Sequence, residues 1–279
     1  MTLLAVPNFS EGRAQLTVEA IATAVASRAR LLDVHSDADH NRSVYTLAGG
    51  PQELSDALME GAILAIRHID VRTRGGVHPH VGALDVAPFV YCETSERGAA
   101  AAAALLSADR LAEELGLPVF LYGILTEDRV TRASIRRGGV AGLAARIASG
   151  EARPDFGPRR LHPSAGAVLV CARPPLLAFN LELAAPATLA DARRIAAEIR
   201  TLPGVRAIGV PLSGGVVQVS MNLEDPDRCG PAHVLDAVRR RAPVAAAEIV
   251  GLPPGRYFID FPAEVPLRHR RTLEEALLS

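Results

Sequence analysis

The sequence contains no lysine, although 30 of its 279 residues are basic, and every one of these is arginine. A catalytic Schiff base needs a lysine amine, and the phosphate-binding P-loop needs a lysine beside its glycines. The absence of lysine therefore excludes both kinds of site. Any anionic substrate would have to be held by arginine, by a helix N-terminus or by backbone N–H groups.

Cysteines and long apolar runs are also scarce. The three cysteines, Cys92, Cys171 and Cys229, are far apart and odd in number, which fits neither a metal site nor a disulfide framework. The N-terminal residues have no basic segment ahead of an apolar run, so we expect no signal peptide. The longest apolar run, Ala99 to Leu106, is too short to span a bilayer. These features predict a cytoplasmic protein.

The overall charge and composition narrow the classes of partner. The formal net charge is −1, which indicates neither a nucleic-acid partner nor an anionic membrane surface. Hydrophobic residues make up 49% of the chain, as is typical of a globular protein with a buried core. We therefore expect small-molecule substrates.

The pattern of apolar residues predicts two α/β subdomains. The second half shows the order strand, helix, strand, strand, helix, strand, which is typical of a ferredoxin-like unit, with a hairpin around Ser213-Gly214-Gly215. The first half begins with the same order and adds elements. The Arg173-Pro174-Pro175 segment is the expected boundary, which gives subdomains 1–175 and 176–279. If helices cover one face of each sheet, the other faces can enclose a ligand cleft.

Five histidines lie at strand ends or on loops, where functional sites are usually built: His35, His40, His78, His80 and His162. Pro79 restricts the backbone of the residue before it, which fixes the direction of the His78 imidazole. A histidine near its ordinary pKa can accept a proton from an amine and return it to a leaving group. His78 is therefore a candidate for acid–base catalysis, although such a residue can also simply bond a loop carbonyl.

A metal site is the alternative interpretation of these histidines. Imidazoles and carboxylates that suit a divalent ion are supplied by His35, Asp37, Asp39, His40, His78 and His80. Turns rich in aspartate also form simply because their carboxylates accept backbone N–H groups. This spacing does not distinguish a metal-dependent amidohydrolase from an ordinary turn.

Two pairs, Asn41-Arg42 and Arg159-Arg160, are candidates for binding carboxylate groups. A guanidinium can bind a carboxylate through two parallel hydrogen bonds. A solvated basic loop is the alternative for each pair.

Eight segments together resemble the formiminotransferase family, the glutamate formimidoyltransferases, in the family's own order. They are VPNFSEGR (6–13), LLDVHSDADHNRSVYTLAG (31–49), HPHVGALDVAPFV (78–90), ELGLPVFLYG (114–123), PDFGPRRLHPSAG (154–166), LLAFNLEL (176–183), VVQVSMNL (216–223) and AEIVGLPP (247–254). The resemblance covers nearly the whole chain. No segment of this sequence resembles the cyclodeaminase domain of the bifunctional relatives.

The resemblance implies a fold and a reaction. The fold is two α/β subdomains with facing sheets around a tunnel, usually in a homodimer. The reaction is transfer of a formimino group from N-formimino-L-glutamate to N5 of tetrahydrofolate, a step in histidine breakdown. No metal or further cofactor is expected. In that mechanism N5 attacks the formimino carbon, and a histidine general base takes the N5 proton and later protonates the departing glutamate amine.

The resemblance also assigns residues. His78 falls on the family's catalytic histidine. The folate-binding loop comprises Gly157, Pro158, Arg159, Arg160, Leu161, His162, Pro163, Ser164, Ala165 and Gly166. The remaining substrate-binding candidates are Asp37, His40, Asn41, Arg42 and His80, and Asp37 or Asp85 is expected to orient an imidazole.

Four positions depart from the family pattern. Val77 and His80 replace a glutamate and an arginine beside the catalytic histidine, His35 replaces an acid, and Ala165 replaces a tryptophan in the folate loop. A lost charge pair beside His78 can change its pKa or the preferred donor. Three alternatives therefore stand beside formimino transfer from formiminoglutamate: a formyl or formimino transferase with another donor, a metal-dependent amidohydrolase, and a non-catalytic folate-binding protein.

Overall fold

The computed structural model describes residues 2–73, 75–127 and 129–279. The chain divides into two compact units, Met1–Pro174 and Pro175–Ser279, and the division falls within the Arg173-Pro174-Pro175 segment. Each unit contains its own sheet and its own hydrophobic core.

The first unit is built on a seven-stranded sheet. Its strands are β1 (Leu3–Ala5), β2 (Asn8–Phe9), β3 (Arg30–Asp37), β4 (Arg42–Gly49), β5 (Leu84–Val90), β6 (Val119–Leu121) and β7 (Val168–Arg173). Its helices are α1 (Gln15–Ala26), α2 (Pro51–His68), α3 (Arg97–Leu115), α4 (Arg132–Arg136) and α5 (Gly139–Ala148).

The strand order shows a ferredoxin-like sheet with an extension. Strands β1 and β2 both pair with β4 and β5, so they act as one strand that is interrupted around Pro7. The order is β3, β4, β1/β2, β5, and β7 and β6 then continue the sheet with parallel pairing. The core of the ferredoxin-like part lies between the sheet and the apolar faces of α1, α2 and α3.

Two short helices, α4 and α5, pack in a separate apolar cluster with residues of β5, β6 and β7. The glycines at their junction, Gly138 before α5 and Gly139 as its first residue, both have positive φ, 79° and 62°, and this conformation ends one helix and starts the next. This break places Arg136 at the end of α4.

The second unit has the predicted ferredoxin-like order. Its elements are β8 (Leu177–Leu183), α6 (Leu189–Ile199), β9 (Val205–Pro211), β10 (Val217–Leu223), α7 (Pro231–Arg239), β11 (Val244–Val250), β12 (Leu267–Arg268) and α8 (Leu273–Leu278). The sheet order is β12, β11, β8, β10, β9. Thr188 caps α6 by accepting the N–H of Asp191. The predicted class, a mixed α/β fold with two sheets, is confirmed.

No helix in the described part of the chain is both long enough and apolar enough to cross a membrane.

Candidate active site around His78

His78 lies on the loop between α2 and β5, and the end of this loop is fixed by close backbone packing. A Cβ placed on Gly82 would lie 1.9 Å from the carbonyl oxygen of Ala167, so only glycine fits there. The N–H of Val81 also donates to Oδ1 of Asp85 at 2.9 Å. The backbone that follows His78 is therefore held from two sides.

The same packing connects this loop to the predicted folate loop, residues 157–166. The N–H of Ala83 donates to the carbonyl of Ala165 at 2.8 Å, and that of Ala167 donates to the carbonyl of Val81 at 3.0 Å. The C-terminal end of the predicted folate loop therefore lies beside the segment that carries His78.

Within the predicted folate loop, His162 organises the backbone. Its Nδ1 accepts the N–H of Ala165 at 3.0 Å and lies 3.4 Å from the N of Ser164, and burial lowers the pKa of its imidazole. Arg159 and Arg160 of the same loop are exposed. The loop therefore has a fixed turn at one end and two exposed cations before it.

Arg42, at the start of β4, is the centre of the hydrogen-bond network around His78. Its Nε donates to Oδ1 of Asn8 at 2.8 Å. Its Nη1 donates to Oδ2 of Asp85 at 3.0 Å and lies 2.8 Å from Nδ1 of His78. Arg42 is predicted to bind substrate, and its observed partners are side chains of the protein.

Asp85 carries the negative charge of this network and has no exposed surface. Its Oδ2 accepts hydrogen bonds from both Arg42 and Arg136. Burial raises the pKa of the carboxyl, but Arg136, Arg42 and the N–H of Val81 together lower it further, so that its pKa lies below the ordinary value. Burial also lowers the pKa of Arg42, against the attraction of Asp85, to about 10, which leaves Arg42 charged at neutral pH.

The surroundings of His78 favour an uncharged ring. Burial, and then the charges of Arg42, Arg136 and His40, lower the pKa of the imidazole well below 6.5, and the backbone carbonyl of Pro79 opposes this shift. The ring is therefore neutral at pH 7, which is the form that acid–base chemistry by histidine starts from.

A second histidine, His40, lies next to the His78 ring and is paired with Asp37. The carboxylate of Asp37 accepts the backbone N–H of His40 at 2.7 Å and lies 2.8 Å from Nδ1 of its ring. Burial raises the pKa of Asp37, but these bonds outweigh it and bring the pKa to about 2. The His40 and His78 ring centroids are 6.3 Å apart, and Nε2 of His40 is buried with no hydrogen-bond partner among the described residues.

The other two predicted substrate-binding residues have structural contacts. The side chain of Asn41 donates to the carbonyl of Gly75 at 2.9 Å and accepts the N–H of Gly12 at 3.0 Å, and its backbone has a positive φ of 49°. Nδ1 of His80 lies 3.4 Å from the carbonyl oxygen of His78. Asn41 thus uses its amide to join three backbone segments, and it immediately precedes Arg42, which contacts His78.

Sequence reasoning missed Asn8 and Arg136 as members of the network. Asn8 lies in the VPNFSEGR segment, where nothing in the sequence indicates that its side chain contacts Arg42. Arg136 precedes a second arginine and two glycines, and nothing in that segment indicates a partner 51 residues away. Among residues 2–73, 75–127 and 129–279, no group of three or more His, Cys, Asp or Glu side chains is arranged to hold a metal ion.

Comparison with known proteins gives a family match over the first unit. Residues 2–173 match the model of the formiminotransferase domain, N-terminal subdomain. The protein is thus a transferase of mixed α/β fold. Because relatives of the same family are also similar along nearly the whole chain, the chain belongs to the formiminotransferase family.

Curated relatives are similar along most of the chain. The chain is 35% identical to the glutamate formimidoyltransferase of Streptococcus pyogenes serotype M1, across 98% of this chain and 97% of that protein. It is 35% identical to the glutamate formimidoyltransferase of Thermoplasma acidophilum, across 91% of this chain and 89% of that protein. The formimidoyltransferase-cyclodeaminase of Sus scrofa is 38% identical across 91% of this chain, which spans 50% of that longer protein.

Proposed function

We propose that the protein transfers a formimino group from N-formimino-L-glutamate to N5 of tetrahydrofolate, giving 5-formiminotetrahydrofolate and glutamate. The observation that carries the proposal is the bond between His78 and Arg42, whose guanidinium Asp85 holds in turn, in a chain 35% identical to a glutamate formimidoyltransferase over nearly its whole length. Tetrahydrofolate is a substrate in this reaction, so no resident cofactor is required.

His78 is the residue that we assign to the reacting nitrogens. N5 must form a bond to the formimino carbon, and the bond from that carbon to the glutamate nitrogen must break. A proton passes from N5 to the departing nitrogen in the course of this exchange. An imidazole that is neutral at working pH and fixed in direction is suited to acid–base work on these nitrogens.

The loop of residues 157–166 is our candidate for holding the folate. Its C-terminal end is hydrogen-bonded to the backbone beside His78, and its exposed Arg159 and Arg160 match the carboxylates of a folate glutamate tail. Ala165, which stands at the tryptophan position of the family pattern that the sequence resembles, is buried in this loop.

The first test is a transfer assay with tetrahydrofolate and formiminoglutamate, in which wild type is compared with His78→Ala. Loss of the imidazole is expected to lower turnover by about 10²–10⁴-fold. His68→Ala is the matched control, because His68 is exposed at the end of α2 and is expected to leave turnover unchanged. Wild-type turnover in His78→Ala would remove His78 from the mechanism.

Formylglutamate is the second candidate donor, because Val77 and His80 replace charged residues of the family pattern. The same assay run with each donor at matched concentrations gives the ratio of the two kcat/KM values. A ratio above one for formiminoglutamate supports our proposal, and a ratio below one reassigns the donor. No transfer from either donor, with folate still bound, would identify a binding protein.

We also propose that the enzyme acts in the cytoplasm as a homodimer. The lack of a disulfide framework supports the location: no disulfide bond joins Cys92, Cys171 and Cys229. Membership of the formiminotransferase family supports the dimer.

A further inference from the structure

The contact between Arg42 and His78 determines which ring nitrogen carries the imidazole proton. Nη1 of Arg42 lies 2.8 Å from Nδ1 of His78. A guanidinium has only N–H donors and no acceptor, so Nδ1 must be the acceptor in this bond. Nδ1 therefore carries no proton.

A neutral imidazole has one proton, which must then lie on Nε2. Turning the ring over would place a carbon opposite the guanidinium and remove the hydrogen bond. The surroundings also keep the ring from taking a second proton, because burial and two nearby arginines disfavour its charged form. The resting ring is consequently the tautomer with hydrogen on Nε2.

Arg42 is held firmly enough to impose this tautomer. Its Nε is bound to Asn8, and its Nη1 is bound to Asp85 as well as to His78. Asp85 is in turn bound by Arg136 and by the N–H of Val81. The direction of the guanidinium is thus fixed by contacts on β2, β5 and α4, independently of the ring.

We propose that Arg42 is a positioning residue that holds His78 as the Nε2–H tautomer, so that His78 presents a hydrogen-bond donor to the substrate. This inference rests on the proposed function, and it replaces the general-base role expected from the sequence with a donor role. A neutral imidazole that polarises a substrate by donating a hydrogen bond is an established catalytic pattern.

The donor role fits the bonds that change in the transfer. When N5 bonds to the formimino carbon, the C=N π pair moves to the imino nitrogen, and Nε2–H stabilises that pair by a hydrogen bond. The N5 proton ends on the same nitrogen, which becomes an amino group. When the carbon–nitrogen bond to glutamate breaks, the departing nitrogen takes a proton, the amino group loses one and the C=N bond is restored. No net proton leaves His78.

The tautomer can be read directly by ¹⁵N NMR of the free enzyme labelled at histidine, in which couplings to the ring carbon-bound hydrogens distinguish a protonated from an unprotonated nitrogen. His78→Gln identifies the His78 signals by their loss. We expect a protonated Nε2 and an unprotonated Nδ1 at pH 7. A protonated Nδ1, whether alone or together with Nε2, would overturn the inference, and this measurement needs no variant of Arg42 to fold.

Arg42 variants give the second readout. Arg42→Met removes the donor to Nδ1, so the Nε2–H signal is expected to give way to a mixture of tautomers. Arg42→Lys keeps an N–H donor and is expected to retain more of the wild-type tautomer and more of the turnover. If Arg42→Met keeps the wild-type tautomer of His78, then Arg42 does not determine that tautomer.

The kinetics separate this role from simple carboxylate binding. A positioning role predicts that Arg42→Met lowers kcat at least about tenfold with a smaller change in the KM of the donor, because the loss falls on the transition state. A rise in KM with kcat unchanged would make Arg42 a carboxylate holder instead. If wild type shows the Nε2–H tautomer but transfers neither formimino nor formyl groups, the tautomer assignment stands and the proposed function fails.

Discussion

The fully buried carboxylate of Asp85 binds two guanidinium groups, one from the start of β4 and one from the end of α4. Buried ion pairs add little net stability when complete, because the loss of hydration offsets the attraction between the charges. Removing one member of such a group leaves the others buried without compensation. Asp85 is therefore the residue on which the charge balance of the site depends.

Asp85→Asn is expected to destabilise the first unit by about 3–5 kcal/mol, because Arg42 and Arg136 would lose their counter-charge. Urea unfolding followed by circular dichroism measures this change. Glu60→Gln is the control, since its ion pair with Arg28 is exposed and is expected to contribute about 1 kcal/mol or less. Equal losses for the two variants would mean that the buried charges are compensated in another way.

At the scale of elements, the site depends on a close contact between the His78 loop and the segment that precedes β7. Gly82 and Gly166 form an antiparallel bridge there, and neither position has room for a Cβ. The catalytic candidate and the folate-loop candidate are thereby held by one backbone contact. Such a contact is invisible to side-chain patterns, although two isolated glycines near strand starts are consistent with it.

Gly82→Ala tests this contact, because the added methyl group would lie 1.9 Å from the oxygen of Ala167. We expect a loss of about 2–4 kcal/mol in unfolding free energy, as for other substitutions that force atoms to overlap. Gly98→Ala is the control, since a Cβ on this residue of α3 meets no atom within 4 Å and alanine favours a helix. A Gly82→Ala enzyme with wild-type stability and turnover would show that the loop can move aside without cost.

The sequence predicted most elements of the second unit because their signals are local. The order of its first six strands and helices is as predicted, and the hairpin turns at Ser213–Gly215. The two-residue strands β2 and β12 were missed because they are too short to show a period of two. Helix α8 was also missed, although Thr272 caps it in the same way as Thr188 caps α6.

For the site, the sequence could predict those residues whose type or immediate neighbours indicate a role. His78 is predicted from the proline that follows it, and Arg42 from the ability of a guanidinium to bind a carboxylate. The role of Arg136 depends on α4 ending where its guanidinium reaches Asp85, and that is a property of packing. The tautomer of His78 likewise depends on a bond across 36 positions of the chain, so only the folded structure reveals it.

At the scale of the whole molecule, two titrations couple the site to folding at different pH. The pKa of His78 lies well below 6.5 in the folded protein, so the unfolded chain binds more protons below pH 6.5 and stability falls as the pH falls. Asp37 has a folded pKa of about 2, so its stabilising contribution is lost only below about pH 4. Asp37 therefore contributes nothing to the change in stability between pH 6.5 and 5.

His78→Gln is expected to reduce the loss of stability that wild type shows between pH 6.5 and 5, by at most about 1.4 kcal/mol per pH unit. The groups that face His78 are Arg42, Arg136 and His40, with Asp85 and His80 beside them; all five remain in the variant. His162, whose pKa is also lowered, contributes equally to both proteins and cancels in the difference. Urea unfolding of both proteins across this range measures the difference in slope. Identical slopes would mean that the His78 ring takes up its proton in the folded state as readily as in the unfolded chain, and an imidazole of that kind would be charged as often as neutral near pH 6.5.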